Sequence, residues 1–526
     1  MAFPNSNIDD SYWLELTIGK NDIEFLYNFL FEKEIPLKTE SLVRALINYR
    51  INLEINAEKA KQTQRGTVYL PKETHHIGQD LIFPSYNWNK GTVNAVREGN
   101  NLEIAPFSVI DVEFEDGSLR SFASELEVHS LNEPAIVTAS DSSLNEEEIF
   151  SKFGEHIIHK LGEKLKGLKD LVLIGEEWFP KSLLFDFNQG HLNIIEAVLD
   201  MQAGGPMSPK ELLKQIDVEV AEDQSLIEFS LNYTLQQDPR FDEVGTEGVY
   251  SWFLHRLEPE PVREVPVYLQ HPPSNHELPE VSNAVLQMLE TIDDELIKTP
   301  LDYLSNALET SFVLNYPHWR VGSIPLSPKT SQIFPSALET DRIKITIHDT
   351  DTDQDISAWV VRPYKYVYGL RKWYEDRELI PGSVIYLEKS DKPGKVFIRV
   401  QKKRSNREWI RTVLVGKDGG IVIALLKQPI TGGFQERLAI AIPDVQAIDE
   451  VWKVKVMQPK SLKSDVVKMM TELSKLNSQR HVHFLELYAA INIIRRSPPE
   501  PILSLLISDP EFVHVGDQYY HLKDAG

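Results

Sequence analysis

Two stretches far apart in the chain share one pattern, and any fold has to accommodate it twice. Asp509-Pro510-Glu511-Phe512-Val513-His514-Val515-Gly516-Asp517-Gln518-Tyr519-Tyr520-His521-Leu522 lies late in the chain. Asp238-Pro239-Arg240-Phe241-Asp242-Glu243-Val244-Gly245, followed by Val249-Tyr250-Ser251-Trp252-Phe253-Leu254, lies in the first half. Each follows a Leu-rich helical run. Proline lacks an amide donor and biases its predecessor away from the α region, so Asp-Pro ends the helix. Phe-x-x-Val then alternates as a half-buried strand, glycine permits a tight turn, and an aromatic strand returns. Repetition of this kind predicts a protein assembled from small modules.

At 526 residues the chain is too long for one core, and domains of about 150 residues suggest roughly three to five units. With 42% hydrophobic and 25% charged residues the composition is globular. There is no cysteine, which removes disulfides, thiol nucleophiles and thiolate metal sites together. The opening residues carry neither a basic nor an apolar leader region, and no apolar run approaches the ~20 residues that span a bilayer. A cytoplasmic protein without a membrane partner is expected. The net charge of −24 opposes tight nucleic-acid binding, but it is unevenly spread. Residues 1–340 hold 26 basic and 55 acidic side chains, 341–460 hold 22 and 16, and 461–526 hold 7 and 8. A basic segment inside an acidic protein is the footprint of one localised polyanion site.

In chain order, residues 1–62 read as two helices across a turn, with Ile23, Leu26, Phe29 and Leu30 at helical spacing and Thr39 as an N-cap. This is a helix-turn-helix or a generic helical hairpin. Over 63–132 the period changes to two, with short strands at 67–70, 80–83, 91–96, 107–114 and 119–122 and turns at Asn100-Asn101 and Asp116-Gly117. Five short strands suggest a small barrel. Through Gly91-Thr92-Val93 and Val112-Glu113-Phe114-Glu115-Asp116-Gly117 it resembles the SH3-like barrels of Tudor and KOW type. Tyr86, Trp88 and Phe107 form either an aromatic cage or part of its core and rim. Residues 145–187, a helix followed by strand, glycine and aromatic strand, read as a degenerate winged helix.

The clearest module spans 188–257. Leu192 to Met201 is an amphipathic helix ended by Gly204-Gly205; Ser208 and Glu211 have capping-box spacing with Pro209 between them; a third helix, Ser225 to Gln237, leads into the first repeat copy. This order resembles the HARE-type winged helix, the family that includes the N-terminal domain of the delta subunit of bacterial RNA polymerase. The resemblance covers roughly 190–257 and, more loosely, 464–523. It implies an association with transcription, DNA modification or chromatin. The helix that such a fold offers to the major groove, Ser225 to Gln237, carries no Lys or Arg here. Phosphate contacts supply most non-specific affinity, so this copy is expected to dock protein instead. Residues 258–281 form a Pro-rich linker, 282–311 a helical connector, 312–458 a basic β-barrel and 461–526 a C-terminal winged helix. The expected fold class is α+β multidomain, several winged-helix modules plus two small β-barrel domains.

Within 312–458, Trp373-Tyr374 and then Leu379-Ile380-Pro381-Gly382-Ser383-Val384 look like the helix and "Pro-Gly" strand of the DNA-binding pseudobarrel of plant transcription factors. Gln401 to Arg411 reads as a basic hairpin with an aromatic. Lys402, Lys403, Arg404, Arg407 and Arg411 on it, with Arg362, Lys365, Arg371 and Lys372 as a second group, are the candidate nucleic-acid contacts, joined by Arg495 and Arg496 in the last module. Asp349-Thr350-Asp351-Thr352-Asp353-Gln354-Asp355 lacks the glycine and closing Glu of a calcium loop and reads as an acidic turn. His481 and His483, two apart, do not share a helix face, and no metal ligand set or cofactor site is assigned. Nucleotide-binding, zinc-protease and hydrolase signatures are absent. The reading is a non-enzymatic DNA- or RNA-binding, transcription-associated protein whose acidic half docks a protein such as RNA polymerase. A protein-binding scaffold, and a DNA-defence nuclease subunit using 349–355 or 444–450, are the alternatives.

Overall fold

A computed structural model describes residues 10–64, 67–83, 86, 89–101, 106–132, 145–216, 223–271, 278–279, 281–298, 307–417, 419–458 and 460–523. It is mixed α and β. The described residues fall into two compact bodies, one within 1–185 and 222–229, the other within 186–221 and 230–526.

In the first body helix Lys20–Lys33, strand Leu37–Lys38, helix Thr39–Gln64, helix Glu146–Lys166 and strands Leu171–Ile174 and Glu177–Pro180 make one unit. Its sheet runs first, third, second: Leu37 pairs Trp178, and Leu171 pairs Pro180. The helices bury Leu26, Leu30, Leu46, Ile157, Leu161 and Leu165 around Trp178, whose indole donates to Thr39 Oγ1 at 2.9 Å. Segments 1–62 and 145–187, read from the sequence as separate, are therefore halves of one unit. A two-residue strand has no periodicity to betray the pairing. Between the halves lies a five-stranded sheet, Thr67–Val68, Asp80–Phe83, Asn89–Glu98, Ser108–Phe114 and Leu119–Ser124, in chain order. Its ends meet where Tyr69 Oη donates to Ala123 O at 2.5 Å and Leu126 N to Pro71 O at 2.8 Å. Tyr86 joins the ring cluster of Phe114 and Phe122 with Arg120 above it, a rim position; Trp88 lies outside the described residues.

The same connectivity recurs twice. Helix Gln189–Met201, an isolated bridge from Met207 to Trp252, helices Pro209–Leu213 and Gln224–Gln236 and strands Phe241–Glu243 and Trp252–Leu254 form the second copy. The expected capping box is present, with Ser208 N donating to Glu211 Oε2 at 2.8 Å. Helix Leu462–Ser474, strand Val482–His483, helices Phe484–Ile494 and Pro499–Ser508 and strands Phe512–Gly516 and Tyr519–Leu522 form the third, again with sheet order first, third, second. Both repeat copies thus become the paired strands foreseen.

Residues 309–400 build a seven-stranded sheet in the order Glu309–Val313, Val384–Lys389, Lys395–Val400, Arg342–Asp349, Gln354–Val361, Tyr366–Tyr368, Ser323–Pro325. Only the Arg342–Asp349 and Lys395–Val400 pair is parallel. Glu309–Val313 and Ser323–Pro325 are its edge strands, and Lys402–Val415, Ile421–Gly432 and Ile440–Ala441 form a separate three-stranded sheet. The acidic run turns between Asp349 and Gln354, which pair across it.

Gly382 precedes strand Val384–Lys389 at φ +98°, where a Cβ would stand 2.4 Å from Ala439 Cα. Gly382→Ala is expected to cost at least ~1–3 kcal/mol, read as a lower thermal midpoint with the pre-transition fold intact.

The Pro-rich stretch is no free spacer over 259–269. Val262 and Leu269 are buried with Val244, Phe253, Trp359, Val361 and Tyr366, so it straps the second repeat unit to the sheet. Residues 272–277 and 280 lie outside the described residues. The C-terminal unit likewise shares one core with helices Asn283–Glu290 and Val445–Met457 and with Val413, Ile421 and Ile423. Connector, strands and last module are thus one packed mass, because each presents an apolar face too large to leave in water.

Candidate nucleic-acid interface

The basic run 401–411 is one strand of a longer hairpin rather than a hairpin itself. Lys402–Val415 pairs with Ile421–Gly432 from Arg407 opposite Pro429 to Val415 opposite Ile421, with a register shift between Lys402 and Asn406. Alternation explains its two faces. Val413, Ile421 and Ile423 pack into the core near the tip, while Ile410 and Ile430 bury the opposite face near the base. That leaves Trp409 63% exposed, with Lys427 Nζ 5.4 Å from its ring centroid.

The structure disperses the predicted cations by what each already holds. Arg362 donates to Phe334 O and Pro335 O, and burial pushes its guanidinium pKa down. Arg371 holds Glu375 at 2.6 Å and the Arg320 carbonyl. Arg411 holds Glu486 at 2.9 Å and the Glu436 carbonyl. Lys365, Lys372, Lys402 and Arg407 face solvent, Lys402 with Asp351 at 3.4 Å. The side chains of Lys403 and Arg404 lie outside the described residues. Arg496 is 0% exposed, bound to Asp294 and Glu295, and cannot reach a ligand through these contacts.

Arg495 and Arg496 nonetheless line a cleft. A cleft of about 330 Å³ opens between helix Val445–Met457, the start and end of helices Leu462–Ser474 and Phe484–Ile494, and residues 267–271. Trp452, Val456, Val267 and Ile494 form its apolar wall; Lys455, Lys460 and Arg495 supply charge, while Arg496 lines it with its own charge held by Asp294 and Glu295. Buried Asp465 accepts from Lys455 Nζ at 2.5 Å and from Arg495 Nη1 at 3.1 Å, one carboxylate shared by two cations. Burial pushes the Lys455 ammonium pKa down in spite of that carboxylate. Arg496 Nε is buried without a hydrogen-bond partner. Burial, reinforced by Arg496, also lowers the His271 pKa. Excess positive charge in a half-apolar cleft favours an anion with a flat or apolar part.

Sequence reading passed over Lys455 and Lys460; the signal was the cluster Lys453, Lys455, Lys460 and Lys463 beside Trp452. Three of the carboxylates weighed for a nuclease hold structural partners. Asp349 takes Trp373 Nε1 at 2.9 Å and Arg377, Asp449 takes Arg320 and Tyr268, and Asp444 caps its helix. Among the described residues no helix is long and apolar enough to cross a membrane. Comparisons with protein-family models, with curated proteins and with solved structures find no match.

Proposed function

We propose that the chain is a multi-module nucleic-acid-binding protein of the transcription-associated kind, in which three winged helices act as packing and protein-docking modules and the polyanion is held elsewhere. The helix–strand–helix–helix–strand–strand order with first–third–second pairing supports the winged-helix reading. The third helices of the second and third copies, Gln224–Gln236 and Pro499–Ser508, carry no Lys or Arg, and the latter buries seven of its ten residues. Neither suits a major groove, so the acidic surfaces are left for a protein such as RNA polymerase. Phosphate contact falls to the cleft and to Lys402 and Arg407, with exposed Trp409 free to stack on a base. One observation carries this reading: a cluster of cations outnumbering its carboxylates within a chain of net charge −24.

The test is fluorescence anisotropy of the full chain on a random duplex and on an RNA of matching length, between about 50 and about 200 mM salt. Binding that weakens steeply with salt is expected, with a Lys402→Glu/Arg407→Glu/Lys460→Glu variant losing at least about tenfold in affinity. Absence of binding at the lower salt would overturn the reading in favour of a protein-binding scaffold.

A further inference from the structure

Strand Phe241–Glu243 and the turn after its partner strand bring together three side chains that no sequence motif joins. Asp242 pairs across the ribbon with Phe253, and His255 and Glu258 follow three residues apart on the short turn His255–Leu257 and its end. One donor atom from each of Asp242, His255 and Glu258 lies within 4.8 Å of the other two. His255 Nδ1 stands 3.4 Å from Glu258 Oε2. Donors about 2.1 Å from a tetrahedral zinc ion stand about 3.4 Å from one another.

The second observation is Glu258 itself. Its side chain is 0% exposed, and among the described residues no N–H or hydroxyl donor reaches either carboxylate oxygen, only the carboxyl of Asp242 beside it. Arg342 Nη1 is the nearest cation, 3.5 Å from Asp242 Oδ2 and 3.6 Å from Glu258 Oε2, beyond hydrogen-bond reach and one charge against two. A desolvated carboxylate with idle lone pairs is costly unless a cation or a proton takes them. The imidazole and two carboxylates suit a borderline divalent ion of the zinc, cobalt or manganese group; an all-oxygen set would suit calcium or magnesium, and sulfur ligands copper(I). His255 is part-exposed, which leaves a side open for entry and for water as a further ligand.

We propose that Asp242, His255 and Glu258 bind one divalent transition-metal ion of the zinc class. The ion ties the ribbon of the second repeat unit to the turn that begins the strap over the seven-stranded sheet. This site is separate from the basic cleft and stands whether or not the chain binds nucleic acid.

The test uses the full chain, freed of metal with a chelator and titrated with Zn²⁺ by calorimetry, then with Co²⁺ to record its visible ligand-field bands. One equivalent is expected to bind, with a rise of a few degrees in melting temperature that the chelator reverses. His255→Ala and Glu258→Gln should each weaken binding at least about tenfold. Glu258→Gln also controls for folding: a neutral side chain in that buried place should leave the metal-free protein as stable as the parent or more so. The proposal is overturned if no stoichiometric Zn²⁺ binds, if both variants bind it undiminished, or if Ca²⁺ or Mg²⁺ binds as tightly. A stabilised Glu258→Gln protein whose parent takes no metal would mean that Asp242 and Glu258 share a proton instead.

Discussion

Replacing Arg496 with leucine is expected to lower the unfolding free energy by ~3–5 kcal/mol, the usual cost of stranding one side of a buried ion pair. Arg496 lies at the end of helix Phe484–Ile494 and grips Asp294 through Nη1 at 2.8 Å and Nη2 at 2.6 Å, with Nη2 also 2.8 Å from Glu295. Tyr488 Oη donates to Asp294 at 2.6 Å, and His318 Nε2 lies 2.8 Å from Glu295. Burial works against the charge of Arg496, and the two carboxylates more than offset it; Arg496 in turn holds Glu295 well below the usual carboxylate range despite its burial. Leucine leaves both carboxylates buried with too few partners. Urea denaturation measures the loss. Adding Asp294→Asn and Glu295→Gln to Arg496→Leu should recover part of it, because the stranded charges go with the pair. A single variant within about 1 kcal/mol of the parent would mean that water already reaches these carboxylates.

Acidification should weaken the C-terminal unit through one histidine. His483 caps helix Phe484–Ile494, its Nδ1 accepting from Leu485 N at 3.1 Å, and burial, aided by Arg437 and Arg411, lowers its pKa to about 4. A protonated ring cannot accept that bond. The unfolded chain takes up the proton near about pH 6.5 and the folded protein only near pH 4. His483 therefore contributes stability that is present above the unfolded value and is lost as pH falls from there through about 4. Allowing for partial solvent screening, the loss is on the order of 2 kcal/mol. His483→Asn keeps an acceptor at the cap and does not titrate, so its denaturation midpoint should be flatter over this window. Equal slopes for parent and variant would remove His483 as the cause.

Much of this architecture is legible in the sequence where a physical signal is local. Strands Arg342–Asp349, Val384–Lys389 and Lys395–Val400 announce themselves by alternation, the Ser208 and Glu211 cap by spacing, and the repeated Asp-Pro-x-Phe segments by what proline forbids. Pairings that rest on a few residues far apart are hidden: nothing about Leu37-Lys38 announces Trp178. The same holds for charge. Arg362, Arg411 and Arg496 look like phosphate contacts in a basic run, but their partners, two backbone carbonyls, Glu486, and Asp294 with Glu295, are distant in sequence, and only the fold shows the charge already committed. Lys460 and Lys455 were overlooked because the cleft is assembled from residues 267–271 and 452–496, and no window along the chain contains it.

The five-stranded sheet set inside the first unit also governs the order in which that unit can be made. Leu37 emerges from the ribosome ahead of its strand partner, Trp178, which is synthesised about 140 residues later, a delay on the order of ten seconds at ordinary translation rates. Helix Lys20–Lys33 must meanwhile wait with Leu26 and Leu30 uncovered by Glu146–Lys166, while the inserted sheet, whose strands pair with chain neighbours, can close first. Birth order in this protein therefore runs from the inside outwards: the guest is finished before its host.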